Sequence, residues 1–581
     1  MGSYQIPEGN TMTNERTPTV IFGLDGACLD LIRPWLDDGR LPTLNRLIET
    51  GGATDLESTV PATTPPGWTS LTTGVNPGKH GIFGFYTRQP GTFETTPVTD
   101  RHVHARRLWD YLDIHDDTAV VVNVPVTHPA RVINGCLIPG YLAPDEPSTF
   151  PSDIISKVGM EGYRIYAPSE TASVSDEQLL EEWLELTKSR AELTQRLVDE
   201  FDPDLVFLEF QKTDGAVHKF GMGAHVRRIY EVVDTCMAEV LESIEGEPNV
   251  FVVSDHGIGQ EKRWAVALNT WLSHTGYAET RIGPADRDQW LEQARENRSI
   301  KGSPRDSNAT TDPSSSSSLS RSYGERLVRG VLGLVGRVGV TKQDFERLLS
   351  RLGLYERAIA WLPEGIGSGL RTEVIDREQS LAFYEAMGFS GVDVGVIIND
   401  ERFYPDGKVK VDRYDEIRED LMDALRELRG PDGQRAFETL RPREHVYTGD
   451  RVDMAPDIVL EQSADYVIGS QEPRGQTFIP ADGRIDHTRT GLLIAAGPDV
   501  REDWELAMSP SILDITPTVL HLREVPLSDR FDGEVLMDIF EEERSPRFDT
   551  YEPFEPEDPS GTEADEEELL AERLRDLGYL G

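Results

Sequence analysis

The sequence predicts an α/β fold built around a mostly parallel sheet. Five short apolar runs rich in β-branched residues have the length of buried strands. They span residues 19–23, 118–124, 204–210, 249–253 and 491–496. Stretches with helical periodicity lie between them, most clearly 176–201, 224–245 and 412–429. Strands that alternate with helices are typical of a parallel sheet covered by helices on its faces.

The interval 262–391 departs from this alternation and predicts a cap inserted between two parts of one core, residues 18–261 and 392–544. Within it, 306–321 is a Ser-rich, low-complexity segment for which we predict flexibility. Residues 325–354 have an amphipathic helical pattern, expected to pack on the core, with a membrane-surface helix as the alternative. We expect residues 1–17 to be a flexible N-terminus, and 545–581 to form an acidic tail ending in a short helix, 566–577.

The composition is strongly acidic. Among 581 residues, 58 are Lys or Arg and 103 are Asp or Glu, which gives a formal net charge of −45. Only ten of the basic residues are lysines. Many carboxylates with few lysines resemble the proteins of extreme halophiles, in which net charge maintains solubility; an acidic mesophilic protein is the alternative. A surface of this sign argues against binding to duplex nucleic acid or to anionic membranes.

Cysteine usage and hydropathy indicate a cytoplasmic protein. Cys28, Cys136 and Cys236 are far apart and odd in number, which favours buried thiols over a disulfide framework. No apolar run approaches the roughly 20 residues of a transmembrane helix. The first 17 residues also lack the apolar centre of a signal peptide.

Metal-ligand side chains follow or precede the predicted strands. They are Asp25, Asp214, His218, Asp255, His256 and His487. Ligands in open α/β sheets bind beyond the carboxyl ends of the strands, so we expect several of these side chains to converge at one edge. Three Asp and three His suit a pair of divalent cations, zinc or manganese before magnesium or calcium.

The segment 61–74 (PATTPPGWTSLTTG) supplies candidate nucleophiles. A hydroxyl beside a helix N-terminus and near metal ions can be activated without a side-chain base. For four of its threonines we expect only a role in capping the helix. These are Thr63, Thr69, Thr72 and Thr73.

Several motifs together resemble the alkaline phosphatase superfamily, and most closely its type I phosphodiesterase/nucleotide pyrophosphatase family. They are residues 23–26 (GLDG), 64–74, 77–82 (PGKHGI), 254–257 (SDHG), 514–520, 532–533 and the closing 573–580. The resemblance covers about 18–261 and 392–540. It implies an alkaline-phosphatase-like three-layer α/β/α sandwich with a mostly parallel central sheet and an inserted cap.

The resemblance also assigns roles to individual residues. Asp214, His218 and His487 would bind one metal ion. Asp25, Asp255 and His256, with the Thr64 hydroxyl, would bind a second. Thr64 would attack phosphorus and form a covalent phospho-threonine-type intermediate, which a water then hydrolyses. We expect two Zn²⁺ ions, with Mn²⁺ as the alternative. His80 and Asn123 are expected to support the site or the fold without taking part in the reaction.

Departures from related patterns narrow the activity. Sulfatases of the superfamily need Cys or Ser and an arginine where this chain has Thr64 and Trp68, which argues against a sulfatase. The arginine that favours phosphate monoesters has no evident counterpart, which favours diesters. The sequence therefore predicts a two-metal phosphodiesterase or nucleotide pyrophosphatase that acts on a small-molecule phosphodiester or nucleotide. A phosphotransferase or mutase acting on sugar or lipid head-group phosphates and a metal-binding pseudoenzyme remain alternatives, and the sequence predicts no oligomeric state.

Overall fold

The computed structural model describes residues 17–170, 174–284, 371–385, 394–469, 475–481, 483–542, 544–554, 556 and 570. The Ser-rich segment 306–321, the helical stretch 325–354, nearly all of the N-terminal segment and all but one residue of the predicted helix 566–577 lie outside the described residues.

Strands are numbered β1 to β22 in chain order through the described residues. They are β1 Thr19–Leu24, β2 Gly51–Glu57, β3 Tyr86–Arg88, β4 Thr95–Pro97, β5 Ala119–Val122, β6 Gly135–Ile138, β7 Leu205–Phe210, β8 Asn249–Val253, β9 Gly257–Glu261, β10 Trp264–Val266, β11 Thr280–Pro284, β12 Arg371–Ile375, β13 Ala382–Tyr384, β14 Val394–Ile398, β15 Phe437–Pro442, β16 Ile458–Gln462, β17 Tyr466–Ile468, β18 Phe478–Pro480, β19 Ile485–Thr488, β20 Thr490–Ala496, β21 Leu527–Ser528 and β22 Phe548–Asp549.

Helices are numbered in the same way. They are α1 Leu29–Asp37, α2 Pro42–Thr50, α3 Thr64–Thr73, α4 Pro77–His80, α5 Leu108–Ile114, α6 Ile154–Lys157, α7 Asp176–Phe201, α8 Lys212–Phe220, α9 Ala224–Glu242, α10 Leu268–His274, α11 Tyr414–Arg426 and α12 Ile515–Leu522. The predicted helix 176–201 is confirmed at both ends, while α9 and α11 are each shorter than predicted. Helix α7 begins where the Ser175 hydroxyl accepts a hydrogen bond from the amide of Gln178.

The central sheet has seven strands in the order β2-β20-β8-β1-β7-β5-β6. Strands β8, β1, β7, β5 and β6 are parallel, which confirms the predicted mostly parallel α/β architecture. Strand β20 is antiparallel to both of its neighbours. Its beginning therefore lies at the same edge of the sheet as the carboxyl ends of the parallel strands.

Side chains alternate along β1 and β7 and point into two separate cores. Val20, Phe22 and Leu208 belong to a core that includes buried residues of α7 and α9. Ile21 and Phe207 belong to a second core that includes residues of α3, α5 and α12. Helices thus cover both faces of the sheet and form the three layers that the sequence predicts.

A second sheet, in the order β13-β14-β16-β15, has its own core with α10 and α11. Strand β14 pairs with β13 and β16, so the residues on either side of position 391 share one sheet. The boundaries of the cap stay a prediction.

Two further sequence features concern the chain as a whole. All three cysteines are buried and unpaired. In the part of the chain that the structure describes, no helix is long and apolar enough to cross a membrane.

Candidate metal centre

All six predicted ligand side chains meet at one edge of the central sheet, where they form two groups. The imidazole-rich group consists of Asp214, His218 and His487, and the carboxylate-rich group consists of Asp25, Asp255 and His256. The ligand atoms within each group all lie within 4.8 Å of one another.

The topology of the sheet explains this convergence. Asp25 follows β1, and Asp255 and His256 follow β8, the neighbour of β1. Asp214 and His218 lie one turn apart on α8, the helix that follows β7 on the other side of β1. His487 lies in β19, immediately before the antiparallel strand β20. Because β20 runs in the opposite direction, a residue before it reaches the same edge as residues after β1, β7 and β8.

In the imidazole-rich group, three ligand atoms face one another. The Nε2 atoms of His218 and His487 are 2.8 Å apart, and Oδ1 of Asp214 lies 3.2 Å from the first and 3.5 Å from the second. The other ring nitrogen of His487 donates to the carbonyl of Ala62 over 3.2 Å, which leaves a lone pair on Nε2.

In the carboxylate-rich group, Nε2 of His256 lies 3.5 Å from Oδ1 of Asp25 and 3.3 Å from Oδ2 of Asp255. All three side chains are completely buried. The second oxygen of each carboxylate has a donor: Nε1 of Trp68 for Asp25, at 3.4 Å, and the amide of Gly26 for Asp255, at 3.2 Å. Nδ1 of His256 donates to the carbonyl of Gly257. Each remaining ligand atom is therefore oriented towards the other two.

The two groups adjoin one another and differ in their electrostatics. The rings of His256 and His487 stack with centroids 3.8 Å apart. Burial, together with the neighbouring carboxylates, raises the pKa of Asp25 and of Asp255 well above the usual range. Burial also opposes the ionisation of Asp214, yet the imidazoles of His218 and His487 hold its pKa well below that range. The carboxylate-rich group therefore has the greater need of a compensating positive charge.

The donor set fits divalent cations. Among the described residues, four buried ligand atoms have no hydrogen-bond partner, and they are Asp25 Oδ1, Asp214 Oδ1, Asp255 Oδ2 and His256 Nε2. All four belong to the two groups and face inwards. Buried polar atoms without partners are uncommon, and such atoms on Asp and His are the ligands that zinc and manganese bind.

Thr64, the predicted nucleophile, is the first residue of α3 and is buried. The residues on either side of it contact both groups. Before it, the Ala62 carbonyl accepts the hydrogen bond from His487; after it, Trp68 donates to Asp25. One turn along α3, a Cβ atom added to Gly67 would lie only 2.9 Å from Cβ of Asp255. The N-terminal turn of α3 therefore lies directly against both groups.

The prediction that Thr63, Thr69, Thr72 and Thr73 cap the helix is wrong, because the last three lie inside α3 and Thr63 makes no capping bond. The hydroxyls of Thr72 and Thr73 donate to the carbonyls of Trp68 and Thr69, one turn earlier. Thr63 is the residue that precedes the helix, and its side chain makes no capping hydrogen bond. His80 bonds to the Ser70 hydroxyl, and burial holds its pKa well below the usual range.

One buried acid near the site was not singled out from the sequence. Glu209, on β7, is completely buried, and burial raises its pKa to about 8. The side-chain amide of Asn123 donates to both the carboxylate and the main-chain carbonyl of Glu209. Asn123 thus supports a strand end of the sheet. A carboxylate inside the apolar run DLVFLEF was the sequence signal that could have identified Glu209.

Comparisons with known proteins identify the family of the chain. The model of the type I phosphodiesterase / nucleotide pyrophosphatase family matches residues 19–319, just over half of the chain. The chain belongs to this family. Membership identifies it as a phosphodiesterase/pyrophosphatase-type hydrolase, and residues 19–319 include every candidate ligand except His487. No curated protein sequence matches the chain significantly.

Two solved structures align with most of this chain at low sequence identity. Phosphonoacetate hydrolase from Sinorhizobium meliloti 1021, in complex with phosphonoformate, aligns with a TM-score of 0.51 at 15% identity over 88% of this chain and 96% of its own. Human ectonucleotide pyrophosphatase/phosphodiesterase 5 aligns with a TM-score of 0.47 at 13% identity, over 90% of this chain and 100% of its own. The first of these supports an alkaline-phosphatase-like fold.

Proposed function

We propose that this protein is a two-metal phosphodiesterase or nucleotide pyrophosphatase that hydrolyses a small-molecule phosphodiester or phosphoanhydride through Thr64. One observation carries the proposal: two adjoining groups of buried ligands, with inward-facing atoms that lack partners, lie against the first turn of the helix that begins at Thr64.

Each group would hold one divalent cation, with the Thr64 hydroxyl as a further ligand in the carboxylate-rich group. We expect Zn²⁺, with Mn²⁺ as the alternative, because the donors are imidazole nitrogens and carboxylate oxygens. When bound, such cations lower the pKa of coordinated hydroxyls and water and neutralise charge that develops on the phosphoryl oxygens.

Thr64 is proposed to attack phosphorus in two balanced steps. Its Oγ gives up the hydroxyl proton to solvent and forms a bond to phosphorus, while the bond from phosphorus to the leaving oxygen breaks and that oxygen leaves as an anion or takes up a proton from solvent. A water then attacks the same phosphorus and breaks the Oγ–P bond; its oxygen stays on phosphorus as a hydroxyl, and its other proton returns to Oγ, which regenerates threonine. Burial of Thr64 at the start of α3 keeps bulk water away and places the anionic reaction centre near the positive end of the helix dipole.

The chain offers a matched pair of substitutions to test this role. Thr64→Val removes the hydroxyl and keeps the side-chain volume, and it should abolish turnover of a p-nitrophenyl phosphodiester while bound zinc, measured by elemental analysis, stays close to that of the wild type. Thr69→Val is the control, because Thr69 is buried in the same helix and its hydroxyl has no hydrogen-bond partner. Undiminished turnover by Thr64→Val would refute the assignment of the nucleophile.

The same assay separates the alternatives. Rapid quenching followed by peptide mass analysis should show a phosphoryl or nucleotidyl adduct on the peptide that contains Thr64. Transfer to an added alcohol in preference to water would instead indicate a phosphotransferase or mutase. A purified protein that takes up no divalent cation would indicate a pseudoenzyme.

A further inference from the structure

A single hydrogen bond links the helix of the candidate nucleophile to a candidate metal ligand. Trp68 lies four residues after Thr64 on α3, so the two side chains share one face of the helix. The indole is completely buried, and its Nε1 donates to Oδ2 of Asp25 over 3.4 Å. The other oxygen, Oδ1, is the one that has no partner and lies 3.5 Å from Nε2 of His256.

The indole packs closely against β1 and β7. A Cβ atom added to Gly23, on β1, would lie only 2.5 Å from Cη2 of Trp68. The indole also packs edge-on against Phe207, with ring centroids 6.1 Å apart. The ring therefore lies over the glycine of β1, two residues before Asp25 itself. This one side chain therefore connects the strand that precedes Asp25 with the helix that begins at Thr64.

We propose that Trp68 is a positioning residue. Its indole N–H binds one oxygen of Asp25, so that the other oxygen faces the cation. Because Trp68 and Thr64 lie on the same helix, this hydrogen bond also fixes the position of the ligand Asp25 relative to Thr64. This inference rests on the proposed function, since it needs a cation at Asp25 and a nucleophile at Thr64. The partners that orient a ligand side chain commonly change metal affinity by 10- to 100-fold when they are removed. Asp25 has no other side-chain donor among the hydrogen bonds of the described residues.

A purely structural role predicts something different, and the chain contains the control. Trp109 is also buried, on the same face of the sheet, and it packs edge-on against the same Phe207 at 6.3 Å. In the part of the chain that the structure describes, its Nε1 has no hydrogen-bond partner. Trp68→Phe and Trp109→Phe therefore remove similar volumes from one core, while only the first removes a donor to Asp25.

The decisive experiment measures zinc affinity directly, by competition with a chromophoric chelator on the full-length protein. Trp68→Phe should weaken one of two zinc sites about 10- to 100-fold, while Trp109→Phe leaves both unchanged. At saturating zinc, Trp68→Phe should also lower kcat for the phosphodiester more than it raises KM. Equal zinc affinities in Trp68→Phe and the wild type would overturn the proposal.

Two further measurements keep the outcomes distinct. Asp25→Asn should lose the same zinc site. If this variant binds zinc as the wild type does, the metal centre is misassigned. If it loses the site while Trp68→Phe keeps wild-type zinc affinity, only the role of Trp68 is overturned. If Trp68→Phe does not fold, the wild-type protein labelled with ¹⁵N at its indoles is titrated with zinc. One indole N–H resonance should shift strongly, and no shift in any of them overturns the proposal.

Discussion

Removing divalent cations should destabilise the folded protein, and the structure allows the size of the effect to be worked out. Three buried ligand atoms in the described residues lack a compensating partner, and they are Oδ1 of Asp25, Oδ2 of Asp255 and Nε2 of His256. Oδ1 of Asp214 is left out of this count because the imidazoles of His218 and His487 lie 3.2 and 3.5 Å from it. Each of the three atoms costs the folded state about 1–3 kcal/mol when nothing compensates it. The cation-free protein therefore carries a cost of about 3–9 kcal/mol at this one edge of the sheet.

Cation binding returns part of that free energy by mass action. A ligand present at 100 times its dissociation constant stabilises the folded state by about 2.7 kcal/mol. Two occupied groups would therefore add about 5 kcal/mol under these conditions. This value lies inside the range expected from the three uncompensated atoms. For a large domain it corresponds to an increase on the order of 10 °C in the unfolding midpoint.

The assay is thermal unfolding of the purified protein with excess zinc and with excess chelator. Asp25→Asn combined with Asp255→Asn removes both charges of the carboxylate-rich group, so this variant should lose about half of the response to zinc. Asp30→Asn is the matched control, because Asp30 is an exposed acid in the first turn of α1. An unfolding midpoint that does not differ between zinc and chelator would refute the reasoning, since the buried carboxylates would then need no counter-charge.

Three other predictions follow from the same structure. In chelator, stability should fall as the pH rises above the ordinary pKa of aspartate and then of histidine, and zinc should suppress this fall. Burial raises the pKa values of Asp25 and Asp255, and Asp214 raises that of His218 against the effect of burial, so the folded state keeps protons that the unfolded state has lost. Gly67→Ala should lower turnover at least about tenfold and should also lower the unfolding midpoint, because its added Cβ would lie 2.9 Å from Cβ and 3.0 Å from the main-chain oxygen of Asp255. Gly223→Ala, with no atom within 4 Å of its added Cβ, should leave turnover unchanged. Raising KCl from about 0.1 to about 2 M should raise the unfolding midpoint, because salt screens the repulsion within a chain of net charge −45. An unfolding midpoint that does not change with KCl would contradict the halophilic interpretation.

The sequence predicted the layers of the fold and the set of candidate ligands because both depend on local patterns. Apolar runs identify buried strands, and polar residues directly after such runs identify the edge where ligands bind. A short apolar run carries no information about its direction, however. The run 491–496 is antiparallel to the strand beside it, and this reversal is what brings His487 to the shared edge.

Contacts between distant segments could not be predicted in the same way. In the sequence, Trp68 is notable only because it replaces an arginine of the sulfatase pattern. Its hydrogen bond to Asp25 joins positions 43 residues apart and depends on how α3 packs over β1. The pairing of β14 with β13 likewise depends on tertiary packing, because both runs are short and neither pattern specifies a partner.

The acidic composition is compatible with an anionic substrate, because the charge of the whole chain and the charge of the candidate metal centre act over different distances. The charge of −45 belongs to the whole chain, and salt screens charges on the surface beyond roughly 10 Å at 0.1 M. Inside the candidate centre, three buried carboxylates would contribute −3 and two divalent cations +4, a local sum of +1. That local excess acts through a buried, weakly screened environment, so a phosphodiester that reaches the start of α3 would meet an attractive field. Without cations this local positive excess is absent, so substrate binding itself should require the cations and not only the chemical step.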